Sequence, residues 1–129
     1  MKILEEGTLE LFLETLLDLM GGYFILNKKF RRNIENFNAS YVFKSKDGII
    51  AASVVFADSK MKVSKNVIGN PSITVVFKDG MALKNFLFST SPDIIAAILD
   101  GEVQYTGNLN YLSKFAYMSK HLVLLLTGK

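Results

Sequence analysis

Residues 101–126, GEVQYTGNLNYLSKFAYMSKHLVLLL, constrain this chain more than any other stretch. Val103 and Tyr105 alternate with Glu102, Gln104 and Thr106, the period of a strand. Gly107 interrupts that period, and the short polar side chain of Asn108 can accept from the free N–H groups that open a helix. Leu109, Leu112, Phe115, Ala116, Ser119, Val123 and Leu126 then fall along one helical stripe, which Leu122 and Leu125 widen. A short strand leading into so apolar a helix needs a sheet beside it and a sheet face beneath it. The stretch predicts a helix covering a sheet, with a ligand held between them.

The rest of the chain supplies that sheet. Thr8 is a plausible N-cap, and Leu9, Phe12, Leu13, Leu16, Leu17 and Met20 recur at helical spacing until Gly21-Gly22, where the helix is expected to end or bend. A second helical stretch is expected over 23–36, with Phe24, Ile25, Phe30 and Ile34 apolar. From Ser40 the period changes to two. Strands are expected at 40–45, 49–57, 60–65 and 72–77, with turns at Lys46-Asp47-Gly48 and Asp58-Ser59. The stretch 49–57 is apolar on both faces, so it is expected to be covered on both sides, or on one side by something outside the chain. Asp79 can cap a short helix over 80–88, with a strand over 81–88 as the competing reading. Ser91, Pro92 and Asp93 open another helix that buries Ile94, Ile95, Ile98 and Leu99. The expected whole is an α+β fold: a five-stranded, mostly antiparallel sheet flanked by helices, in one domain over 1–129 with a helical amino-terminal part at 1–38.

Composition narrows the chemistry. Half of the residues are hydrophobic, enough to build a core at this length. With no cysteine there is no disulfide, thiolate nucleophile or thiolate metal site. His121 is the one histidine, and no G-x-S-x-G or H-E-x-x-H motif accompanies it. The expectation is a protein without catalytic residues, metal or cofactor. A net charge of +3 is too small to indicate nucleic acid, and none is expected as a partner. Lys28, Lys29, Arg31 and Arg32 form a basic cluster, read either as a solvated helix face or as a transient contact with an anionic membrane surface. No run approaches the ~20 apolar residues of a membrane span, and the opening MKILEEGTLE places acids before any apolar stretch. A cytoplasmic location is the expectation.

Two stretches, PSITVVFKDGMALKNFLF and SPDIIAAILDGEVQYTGNLNYLSKF, resemble the sterol carrier protein 2 (SCP2) sterol-binding domain family. The likeness runs from Asn70 to Lys120, and Tyr41 to Lys65 fits the family's preceding strands more loosely. It rests on an apolar strand, a Lys-Asp helix start, a short helix ending in Gly, a short strand, and Gly-Asn opening the last helix. The resemblance implies a five-stranded sheet flanked by helices, and an apolar tunnel that binds a fatty acid, acyl-CoA, sterol or other lipid.

Together these readings place a cavity between one sheet face and the carboxy-terminal helices. Its candidate lining residues are Val54, Phe56, Val75, Phe77, Phe86, Ile98, Tyr105, Leu112, Phe115 and Met118. Phe115 stands out because it is large and central to the last helix, and Met118 because a flexible thioether suits an adaptable wall. Two other functions remain open: an accessory domain presenting a lipid to an enzyme, and a small structural or dimerising protein whose apolar residues simply pack.

Overall fold

A computed structural model describes residues 2–48, 50–88 and 94–128, and side chains from Leu11 onward with five exceptions within the helices, at 12, 84, 87, 88 and 94. The first helix, α1, runs Lys2–Leu26. Thr8 therefore lies inside it rather than capping it, and Gly21-Gly22 does not end it. Each glycine costs a helix about 1 kcal/mol relative to alanine. Burial of Leu13, Leu16, Leu17, Met20 and Phe24 on one side offsets that cost.

The expected second helix is divided at Asn27, whose backbone turns extended. Its Oδ1 accepts from the Phe30 N–H at 2.9 Å, capping the single turn α2, Lys28–Arg31, which passes into a 3-10 turn, Arg32–Ile34. Phe30 and Ile34 are buried, whereas Ile25, expected among the apolar members, is 74% exposed.

The strands are β1 (Ala39–Ser45), β2 (Ala51–Ala57), β3 (Lys60–Ser64), β4 (Ile73–Phe77) and β5 (Val103–Gly107), in the order β3-β2-β1-β4-β5. β1 and β4 are parallel, and the other three pairings are antiparallel. Asp58 and Ser59, both at positive φ, make the tight turn between β2 and β3. The register puts Tyr41, Phe43, Ala52, Val54, Phe56, Ile73, Val75, Phe77 and Val103 on one face, all buried. The link from β3 to β4 must cross two strands to reach its place, and it does so over the opposite face. There Ser53 Oγ donates to the Asn66 carbonyl at 2.5 Å and accepts from Ile68 N–H at 3.2 Å. The outer face of β2 is thus covered in part: Ser53 is buried there, while Ala51, Val55 and Ala57 are half-buried.

Three helices complete the core: α3 (Gly80–Phe88), α4 (Ile94–Leu99) and α5 (Leu109–Leu126). Asp79 Oδ1 accepts from Ala82 N–H at 2.9 Å, and Asn108 Oδ1 from Asn110 N–H at 2.8 Å, so both expected caps form. The α4 expectation needs correction. Ile95 and Leu99 are exposed and Ile98 is half-buried, because so short a helix turns only part of its surface inward. Ser91, Pro92 and Asp93, with Ile49 of the second strand, lie outside the described residues.

Candidate functional site

The centre of the molecule is aromatic. Phe115 from α5 meets Phe43 at 4.6 Å, Tyr41 at 5.3 Å and Phe56 at 6.4 Å between ring centroids. Tyr41 donates its hydroxyl to the Tyr111 carbonyl at 2.7 Å, which anchors the first turns of α5 to β1. Burial, and then the neighbouring Tyr111, hold the Tyr41 phenol above the ordinary tyrosine range, so it stays a neutral donor.

Val54, Phe56, Val75, Phe77, Phe86, Leu112, Phe115 and Met118 all join one buried cluster, and Ile98 packs against its edge. Tyr105 shares their sheet face through its register partner Val75, but it sits on an edge strand and is 36% exposed. The structure therefore brings nine of the ten candidates together, as packed side chains.

Open space lies to one side of them. A groove of about 650 Å³ separates α1 from β3, lined by Leu17, Asp18, Gly21, Gly22, Phe24 and Ile25 of α1, by Arg31, and by Ser59, Lys60, Met61 and Val63. This volume falls within the range of small-molecule sites, about 300–1,000 Å³. The two glycines leave one wall as bare helix backbone: a Cβ on Gly21 would meet Met61 Sδ at 3.9 Å, and one on Gly22 would meet nothing within 4 Å. The inner end is continuous with the aromatic core. Phe24 stacks edge-on against Phe56 at 6.1 Å, while Met61 and Val63 pair across the sheet with Phe56 and Val54. None of the ten candidate residues lines the groove itself. The adjacent glycines, taken in the sequence as a helix end or bend, are the one signal that could have pointed to it.

The mouth is basic. Arg31 Nη1 donates to the carbonyls of Phe24 at 3.2 Å and Ile25 at 2.9 Å, placing a cation on the free carbonyls at the end of α1. Lys28, Lys29 and Arg32 are exposed beside it. Ile25 and Leu26, just before these cations in the chain, are 74% and 88% exposed. At the back of the same segment Phe30 is buried, stacked on Phe24 at 4.4 Å and edge-on to the His121 ring at 5.0 Å. Among the described residues no group of His, Asp and Glu could hold a metal, and no helix is long and apolar enough to cross a membrane.

No family model and no curated protein matches this chain. Solved structures do. A structure entitled UbiJ-SCP2 Ubiquinone synthesis protein superposes with a TM-score of 0.65 at 17% identity, over 90% of this chain and 96% of that one. Palmitated SCP2L2 from Aedes aegypti superposes at 0.54 and 15% identity, over 82% and 92%. The stereoselective inverting sec-alkylsulfatase Pisa1 from Pseudomonas sp. gives 0.60 at 13% identity, where 68% of this chain spans just 14% of the sulfatase. The fold is thus the SCP2-like α+β fold, a five-stranded mixed sheet flanked by helices.

Proposed function

We propose that residues 1–129 form a single non-catalytic domain that binds or transfers a hydrophobic ligand such as a fatty acid, acyl-CoA, sterol-like molecule or other lipid. The observation that carries this is the groove between α1 and β3, open at a basic mouth and continuous with the aromatic core. The head of the ligand lies near Arg31 and Lys60. Its tail enters toward Phe56 and Val54, with Val75, Phe77, Phe86, Ile98, Tyr105, Leu112, Phe115 and Met118 as the bed that repacks around longer ligands. A twelve-carbon chain gains about 10 kcal/mol gross from burial, before ordering costs, so useful affinity needs no strong charge pair. The palmitate named for the Aedes aegypti relative fits this class of ligand.

The groove mouth also supports a docking surface. Two exposed aliphatic residues followed directly by four cations suit an anionic bilayer, into which Ile25 and Leu26 would insert. A ligand would then pass from membrane to groove without crossing water. Presentation of the bound lipid to an enzyme is compatible with the same surface.

Native mass spectrometry of protein made in cells tests the first claim, with retained lipid mass as the expected result. A fluorescent fatty-acid probe locates the site. Gly22→Leu should exclude the probe if the groove is used, and Ile98→Trp should exclude it if the tail lies beneath the carboxy-terminal helices. A clean dimer without lipid, together with no probe binding to the wild type, would sink the proposal in favour of a structural role.

A further inference from the structure

His121 is joined to the basic segment by a contact with a fixed direction. Asn33 Nδ2 lies 3.1 Å from His121 Nδ1 and also donates to the Phe30 carbonyl at 2.9 Å. The carbonyl can only accept, so it sets the amide orientation: Nδ2, not Oδ1, faces both partners. The imidazole must then present a lone pair at Nδ1 and carry its proton at Nε2. A protonated ring has N–H at both positions and would set donor against donor.

The elements that meet here are rich in charge. Lys28, Lys29 and Arg31 lie on α2, and Arg32 and Glu35 flank Asn33 and Ile34 in the 3-10 turn and just after it. Tyr23 of α1 touches Phe30, while Tyr117 and Lys120 share α5 with the histidine. Burial first, and then the charge of Lys29, lower the His121 pKa from its usual value. Geometry and charge thus favour the same neutral state.

We propose that His121 is a proton-operated latch on the basic docking surface. Neutral, it accepts from Asn33 and holds α2 and the 3-10 turn against α5. When solvent delivers a proton to Nδ1, the contact is lost, the segment loosens, and one more positive charge joins Lys28, Lys29, Arg31 and Arg32. Acidification therefore strengthens attachment to an anionic bilayer. The membrane half of this inference rests on the docking surface proposed above; the latch itself does not.

Two measurements on the full chain separate these halves. In an NMR titration without lipid, the His121 ring should titrate below its ordinary value, and the Asn33 side-chain amide should shift with the same midpoint. Amide protection factors over 27–34, with the intrinsic slowing of exchange in acid divided out, should fall as the ring charges. A ring that titrates at its ordinary value while Asn33 stays silent overturns the latch. In sedimentation with phosphatidylglycerol vesicles, wild-type binding should rise about fivefold between about pH 7.5 and a pH about one unit below the His121 midpoint found by NMR, the effect of one added surface charge. Neutral phosphatidylcholine vesicles should show no rise. His121→Gln, which can accept from Asn33 but cannot charge, should lose the pH response. Asn33→Ala, unlatched at every pH, should already bind more tightly at the higher one. Wild-type binding that is equal at both pH values overturns the coupling. No binding at either pH defeats the docking surface, and the titration then decides the latch alone.

Discussion

Gly107 is the residue where local geometry is least forgiving. It ends β5 at φ +123°, and a Cβ there would stand 2.6 Å from the Ser72 carbonyl oxygen and 3.0 Å from the Ile73 Cα. Backbone on a neighbouring strand cannot yield as a side-chain tip can. Gly107→Ala should cost about 2 kcal/mol or more, lowering Tm by roughly 5–10 °C in a thermal melt; an unchanged melt would contradict the strained backbone. Phe115 behaves differently. Fully buried among Tyr41, Phe43 and Phe56, it should lose about 3–5 kcal/mol on Phe115→Ala, measurable by denaturant titration. His121 adds a pH dependence whose sign is fixed. Its folded-state pKa is lowered, so its contribution to stability is complete above the ordinary value of 6.5 and is lost as pH falls through the folded value. His121→Gln should flatten that part of a stability–pH profile while leaving the fold intact at neutral pH.

At the scale of elements, α1 sets helix stability against an open groove. Gly21 and Gly22 weaken the helix, yet their missing side chains leave the groove open. Gly21→Ala should raise stability by about 0.5–1 kcal/mol, since its Cβ meets only the flexible Met61 thioether at van der Waals distance. Gly22→Leu keeps the helix and fills the groove, so probe affinity should fall without loss of Tm. Stability and binding moving together would mean that the groove is not the site. The helix boundaries here were the least legible part of the sequence. Paired glycines normally stop a helix, and only the burial of Phe24 and Met20 beyond and before them shows why α1 continues to Leu26. Two capping signals read correctly because they are local, Asp79 and Asn108 bonding within three residues of themselves, whereas Thr8 failed as a cap because the helix begins before it. The exposed Ile95 and Leu99 of α4 show the converse, since helical spacing selects a face but does not say how much of it finds a partner.

For the whole molecule, the distribution of charge matters more than its sum. The net charge of +3 is modest, but the segment 26–34 holds four cations and no acid, beside exposed Ile25 and Leu26. Replacing Lys28, Lys29, Arg31 and Arg32 together with Gln should reduce binding to anionic vesicles, and wild-type binding should fade with salt because the attraction is screened. Binding that ignores both changes would return the cluster to a solvated surface. Periodicity by itself located the five strands and the last helix, because alternation depends only on neighbours in the chain, but it left open which face of the 49–57 strand meets the core. It also identified most of the aromatic core, including Phe56, Phe77 and Phe115. Sheet order, the parallel pairing of β1 with β4, and the open space beside α1 were decided only in three dimensions. They depend on which surfaces meet across long sequence separations, and a groove is the place where two such surfaces fail to fill the space between them.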